Sequence, residues 1–291
     1  MAADAGVQVT ELGAEDHACL TFGESEELFD LTAAFVRDGL AAGLKVVCVG
    51  DAGPGLAAGE LRRRGVAVEA AMATGQMTAA GPEGRLLSGQ AFHADAAVDW
   101  LARELTSSRK EGFPGLRVAL DMSWALRPVA GIEQLPDFEE GVAAALEGSA
   151  AAVLCQYDRE RFDPVTLASV AGFHTRAVAA ATYYADTLLR ICRQYAPPGI
   201  RIAGELDFQA GEPLGLALAE TIRLGGDIVI NMSALAFIDA RCTLTIADAA
   251  RTMASQSRLV ILRCLPEVAA GFTRIGLADI RGIRLVAVGE R

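Results

Sequence analysis

Along the first two-thirds of the chain, short fully apolar runs alternate with segments whose apolar residues recur every three or four positions. Residues 18–22 (ACLTF) form one apolar run, GESE breaks it, and over residues 27–42 Leu28, Leu31, Phe35 and Val36 fall at helical spacing. Residues 45–50 (KVVCVG) predict a second strand, followed by a helix through residues 56–64 and a short strand near 66–68. The alternation continues with a helix over 91–109, a strand at 116–122 (LRVALDM), a helix around 138–146 and a strand at 151–157 (AAVLCQY). Strands that lack polar alternation are covered on both faces. The pattern therefore predicts an α/β fold with a doubly wound, mostly parallel sheet and right-handed crossovers.

Residues 177–194 fit neither template, being Ala-rich like a helix yet carrying the strand-like piece TLLRIC. YAPPG at 195–199 is a stronger signal, because consecutive prolines donate no backbone hydrogen bonds and favour an extended connector. Beyond it come strands at 200–208 and 227–233, the turn FIDARC, and strands at 258–264 and 283–288, with helices over 212–224, 244–253 and 267–275. The expected organisation is a flexible N-terminus (1–14), a first domain (15–194), a Pro-rich linker (195–199) and a smaller α/β domain (200–291) of four strands with helices over them.

Composition narrows the functions. A formal net charge of −11 argues against a nucleic-acid partner, whose affinity comes from clustered Lys and Arg. The run Arg62-Arg63-Arg64 reads as a last helical turn before Gly65, where positive charge complements the helix dipole. No apolar run approaches the ~20 residues needed to cross a bilayer, and the first residues lack a signal peptide's basic and apolar regions. The expected location is the cytoplasm, with no membrane partner. Six dispersed cysteines without a CxxC pair read as small buried hydrophobes.

A phosphate grip needs glycines at a helix start and a lysine, and FGESEEL offers Glu24, Glu26 and Glu27 instead. Asp121, at a strand end, keeps open a RecA-like nucleotide- or metal-dependent enzyme, since P-loop ATPases place a magnesium-holding carboxylate there, with a metal-dependent catalyst around His17 and His174 as its other form. The other distinctive residues are His17, Trp124, Cys155, Tyr157 and His174. Trp124 and Tyr157 are expected to face one crevice at the carboxyl ends of the strands, suited to a small organic ligand. A metal site of His17, His174, Cys19 and Cys155 has no local ligand spacing behind it, so no metal and no cofactor are expected. No nucleophile, base and orienter can be assembled from the sequence.

DHACLTF, FVRDGLAAGLKVVCVG, LRVALDMSW, LCQYDRERF and His174 together resemble the MEDS family, a methanogen and methylotroph sensory domain with a RecA- or KaiC-like core, over roughly residues 15–190. The resemblance implies sensing, of a small hydrocarbon-type molecule, without proven catalysis. Family members often carry His-Pro after the last long strand, whereas here Thr175 follows His174.

GELDF, DIVINMSALAFID, the helix after it and TRIGL resemble the STAS domain of anti-sigma factor antagonists over residues 198–291. In those proteins a loop of the type Asp-Ser-Ser-Gly carries its phosphate on the second serine. Here Asp239 is kept, Ala240 and Arg241 replace both serines, and Cys242 replaces the glycine. Arg241 carries the sign opposite to a phosphate and cannot mimic it. Thr243, the nearest hydroxyl, is expected to cap the helix, and Cys242 to be a small turn residue unless Arg241 and the helix start activate its thiol. The resemblances imply a non-enzymatic regulator docking on an anti-sigma factor or kinase; a structural homo-oligomer is a third reading.

Overall fold

The computed structural model describes residues 6–51 and 53–288, which form two compact units meeting between Ala179 and Ala180. Unit one contains β1 (His17–Phe22), α1 (Ser25–Ala41), β2 (Lys45–Val49), α2 (Pro54–Arg63), α3 (Val68–Ala73), β3 (Met77–Ala80), the small hairpin β4 (Leu87–Ser88) and β5 (Ala91–Phe92), and α4 (Ala94–Lys110). It is completed by β6 (Leu116–Asp121), α5 (Leu135–Leu146), β7 (Ala151–Asp158), α6 (Pro164–Ala171) and β8 (Arg176–Val178). Its six-stranded sheet has the order β3-β2-β6-β7-β1-β8, and every pair is parallel.

The runs without alternation became the buried strands: β2 is buried at every position, and β6 and β7 at all but their last. The expected strand at 66–68 is absent. Val68 opens the short helix α3, whose turns close locally through Ala71 N–H to the Ala67 carbonyl at 3.0 Å. Residues 6–14 are packed, contrary to the flexible N-terminus expected: Val9 is buried, Val7 N–H donates to the Ala177 carbonyl at 2.8 Å, and Arg117 donates to the Leu12 carbonyl at 3.0 Å. Residues 1–5 lie outside the described residues. The arginine run ends α2 as expected, with Arg64 paired to Glu26 at 2.8 Å.

Unit two contains β9 (Thr182–Ala185), β10 (Leu189–Tyr195), β11 (Pro198–Leu206), α7 (Gly211–Arg223), β12 (Ile228–Ile238), α8 (Ala240–Ser255), β13 (Val260–Cys264), α9 (Pro266–Arg274) and β14 (Ile283–Ala287). Its sheet runs β14-β13-β12-β11-β10-β9, parallel from β11 to β14 and antiparallel through β9 and β10. The four expected strands are joined by two more, and these resolve most of the ambiguous stretch.

The proline-rich segment is not a connector between units. Tyr195 pairs with Pro198 across a tight turn, so Ala196 and Pro197 form the tip of the β10–β11 hairpin inside unit two. Missing N–H groups suit a hairpin tip as well as a linker, which is why the sequence misleads here. Gly204 has a structural reason of its own: its φ is +101°, and a Cβ there would lie 1.9 Å from the Leu188 carbonyl oxygen.

Candidate functional site

Strand alternation sorts the candidate residues onto opposite faces of the first sheet. β1 and β7 pair with Cys19 beside Cys155 and Thr21 beside Tyr157. His17, Cys155 and Tyr157 therefore turn to the side on which α5 packs. Asp121 turns the other way and does not join them. Its carboxylate accepts from Ser123 N–H at 3.0 Å and Asp51 N–H at 3.2 Å, and it borders a hollow of only about 40 Å³. Burial raises its pKa.

The centre of the α5 side is a residue that the sequence reading did not single out. Glu139 sits on α5 among Leu135, Phe138, Val142 and Leu146, with its side chain fully buried. Its Oε2 lies 3.0 Å from His17 Nε2, 3.4 Å from His174 Nε2 and 3.5 Å from Cys155 Sγ. Its Oε1 accepts the Tyr157 hydroxyl. A carboxylate in the middle of an apolar helix stripe was the available signal, since such a position is tolerated only when other elements supply donors.

The site is locked from several directions. Thr175 holds the backbone of His17, its N–H donating to the His17 carbonyl at 2.8 Å and its hydroxyl at 3.0 Å. A proline at 175 would lack that N–H, so the departure from His-Pro carries its own bond. His174 donates from Nδ1 to the Val170 carbonyl at 2.8 Å, and its ring centre lies 4.1 Å from that of His17.

Electrostatics follow from burial. Desolvation lowers the His174 pKa to about 4, and it raises those of Cys155 and Tyr157 well above their ordinary values, with Glu139 adding to both. Burial by itself would raise Glu139, but the His17 hydrogen bond and the two imidazole charges bring its pKa below the ordinary carboxylate value. His17, Glu139, Cys155 and His174 each offer one metal-ligating atom, all within 4.8 Å of one another. Cys19 from the expected quartet does not belong to this group.

Trp124 and Tyr157 are fully buried and do not line a crevice. Trp124 packs on Phe92 with ring centres 4.8 Å apart, its indole N–H without a partner. The opening at this end of the sheet is a neighbouring cavity of about 430 Å³ lined mainly by apolar side chains, among them Leu126, Ile132, Leu135, Phe162, Val165 and Val170. It lies one layer from the carboxylate cluster. Leu135 is one helical turn before Glu139, the Phe162 ring sits 5.1 Å from Tyr157, and the Val170 carbonyl holds His174.

In unit two, the expected turn FIDARC shrinks to one residue. Phe237 and Ile238 finish β12, Asp239 caps α8 by accepting from Cys242 N–H at 2.7 Å, and Ala240 begins the helix. Thr243 is not the cap: its hydroxyl donates to the Asp239 carbonyl at 2.7 Å from within the first turn. Ala240 and Arg241 are exposed, as are Phe208, Phe237 and Leu244.

Cys242 is not an activated thiol. It is buried, donates to the Asp207 carbonyl at 3.2 Å, and has its pKa pushed up to about 12 by burial and by Asp239. All six cysteines are buried and free. A thiol reagent added at pH 8 to the native protein is expected to modify none of them within minutes, and six after denaturation. Rapid modification of Cys242 alone would restore the redox reading.

Among the described residues no helix is long and apolar enough to cross a membrane. No curated protein matches the chain. Solved structures similar to it include the KaiC-like protein PH0186 from Pyrococcus horikoshii OT3, at 11% identity and a TM-score of 0.46, covering 69% of this chain and 89% of that one. The flagellar accessory protein FlaH from Methanocaldococcus jannaschii is similar at 9% identity and a TM-score of 0.45, covering 64% and 82%. The model of the STAS domain matches residues 195–286, which fits a signalling role of the anti-sigma factor antagonist type. The model of MEDS, the methanogen/methylotroph, DcmR sensory domain, matches residues 16–175, more than half of the sequence. The chain belongs to the MEDS family and carries a STAS domain behind its sensory domain.

Proposed function

We propose that this protein is a cytoplasmic, non-enzymatic regulator. Its MEDS unit takes up a small apolar molecule in the cavity beside α5 and α6, and its STAS unit docks on an anti-sigma factor or related kinase without a serine phosphoswitch. The observation that carries the docking role is the surface at the start of α8. Phe208, Phe237 and Leu244 are 64%, 51% and 50% exposed, three bare apolar side chains in the segments that lead into α7 and α8. Backbone bonds hold the segment firm: Asp239 N–H donates to the Leu206 carbonyl at 3.0 Å, and the Asp239 cap follows. Arg241 adds one positive charge suited to an acidic rim on a partner.

Two observations favour binding over nucleotide chemistry. At the first strand-to-helix turn, the Glu27 carboxylate accepts from Gly23 N–H at 3.2 Å and lies 3.4 Å from Arg159, so the chain's own anion takes the backbone donor that a phosphate would use. The hollow bordered by Asp121 is small, about 40 Å³, and lined mainly by apolar side chains.

The test titrates the full chain with the purified anti-sigma kinases of its source organism, by calorimetry. Wild type is expected to bind at least one of them. Phe237→Asp and Leu244→Asp are expected to weaken binding at least tenfold, about 1.4 kcal/mol, and Val165→Asp in the cavity to leave it unchanged. Failure of every kinase to bind, or equal binding by all variants, would refute the docking role.

A further inference from the structure

The geometry points to a closed metal site for a zinc-class divalent cation, held by His17 Nε2, Glu139 Oε2, Cys155 Sγ and His174 Nε2. In tetrahedral zinc, bonds of about 2.0–2.3 Å put neighbouring ligand atoms about 3.3–3.7 Å apart. Four of the six donor-to-donor approaches are 3.0, 3.4, 3.5 and 3.5 Å: His17 to Glu139, His174 to Glu139, Cys155 to His17 and Cys155 to Glu139. All four donor atoms lie within 4.8 Å of one another, so four edges already stand near the spacing of one coordination shell and the two that join His174 to His17 and Cys155 would close by up to about an ångström on binding. Three are contributed by β1, α5 and β7, and the fourth by the loop between α6 and β8.

His174 supplies an independent argument. A carbonyl oxygen only accepts, so the Nδ1 that meets the Val170 carbonyl carries the proton. Nε2 then faces the Glu139 carboxylate at 3.4 Å without forming a hydrogen bond. A ring nitrogen lone pair and a carboxylate lone pair repel unless a cation lies between them. Metal-bound histidines characteristically donate their other N–H to a carbonyl or carboxylate, as His174 does. Tyr157 plays the matching outer role for Glu139, holding Oε1 and leaving Oε2 for the shared centre.

Charge and donor chemistry agree. Binding releases the Cys155 thiol proton to solvent and moves the His17 proton from Nε2, which faces Glu139, to the unpartnered Nδ1; one thiolate plus one carboxylate then balance a divalent ion, with two neutral imidazoles completing a neutral centre. That is the form in which a dry interior holds ions at least cost. Two nitrogens, one sulfur and one oxygen form a borderline set suited to Zn²⁺ and foreign to Mg²⁺ or Ca²⁺. With four protein ligands and side chains at most 1% exposed, the centre has no open position and is structural in type. It would pin α5 and the α6 carboxyl end, two walls of the apolar cavity, so cavity shape and metal occupancy would be linked.

The full chain is stripped with a chelator and titrated with Co²⁺ and then Zn²⁺, with metal content read by mass spectrometry. One equivalent of Co²⁺ is expected, with the intense visible bands of a tetrahedral site and a near-ultraviolet thiolate-to-cobalt band, all displaced by Zn²⁺. Cys155→Ser, close in volume, is expected to lose the thiolate band, and both it and His174→Gln to bind Co²⁺ at least tenfold more weakly. Cys19→Ser and Cys48→Ser are expected to keep the band. Circular dichroism shows which variants remain folded. A folded wild-type protein that binds less than half an equivalent, or a thiolate band that survives Cys155→Ser, would overturn the assignment.

Discussion

Replacing Glu139 with Leu is expected to destabilise the MEDS unit by about 3–5 kcal/mol, the usual cost of removing one partner from a buried ionic group. The loss comes less from attraction than from what is stranded. In metal-free protein, loss of the carboxylate leaves the His17 Nε2–H and the Tyr157 hydroxyl without their acceptor in a region that water does not reach. The neighbouring Glu140 is exposed, and Glu140→Leu is expected to change stability by no more than about 0.5 kcal/mol. Urea unfolding followed by tryptophan fluorescence is selective for this comparison, because both tryptophans, Trp100 and Trp124, lie in the MEDS unit. A cost below about 1 kcal/mol for Glu139→Leu would mean that the cluster is not the polar centre of this core.

Acid acts on the same cluster in metal-free protein. His174 has its pKa lowered from 6.5 to about 4 by burial, against the opposing pull of Glu139. Between those values the unfolded chain binds the extra proton and the native one does not, so stability rises with pH across the window. Its contribution is complete above pH 6.5 and is lost as pH falls toward 4. Glu139, also held below its ordinary value, acts in the same direction at still lower pH, since protonation removes the partner of both imidazoles. Urea midpoints of chelated protein at pH 7, 5.5 and 4.5 are expected to fall in that order, and a flat profile would contradict the burial of His174.

How legible these features were depended on whether their cause was local. KVVCVG, LRVALDM and AAVLCQY announced β2, β6 and β7, because burial on both faces leaves a run with no polar interruption. The spacing of Cys155 and Tyr157 likewise carried their shared face, since side chains two apart on a strand point the same way. Glu139 was hidden for the opposite reason. Its donors come from β1, β7 and the loop after α6, so nothing beside it in the sequence explains a carboxylate on that stripe. The Ala-rich stretch before the hairpin was unreadable because β9 is an edge strand with no fully buried position, which erases the strand's alternation. Around Asp239, Ala240 and Arg241 the sequence suggests a longer turn than the one residue that separates β12 from α8. The strand runs directly into the capped helix, leaving no free segment to rearrange.

That compactness underlies the second large effect: on the proposed function, Arg241→Ser is expected to give the STAS unit a phosphate acceptor. Arg241 is the second residue of α8 and exposed, and the resemblance to the antagonists assigns it the position of their acceptor serine. A serine hydroxyl there would sit in the first turn of a helix whose unpaired N–H groups and dipole stabilise the dianion once formed. The Asp239 cap and the Cys242 anchor to the Asp207 carbonyl remain, so the backbone presented to a kinase is unchanged. With a kinase that binds the wild-type chain and radiolabelled ATP, wild type is expected to take up no label, Arg241→Ala none, and Arg241→Ser close to one phosphate per chain. The phosphorylated variant is expected to bind that kinase at least tenfold more weakly, because the substitution exchanges one positive charge for nearly two negative ones on the proposed docking surface. Label on wild-type Thr243 would show that control never left this helix. No label on Arg241→Ser, with binding intact, would show that the partner reads this surface without acting on it as a kinase.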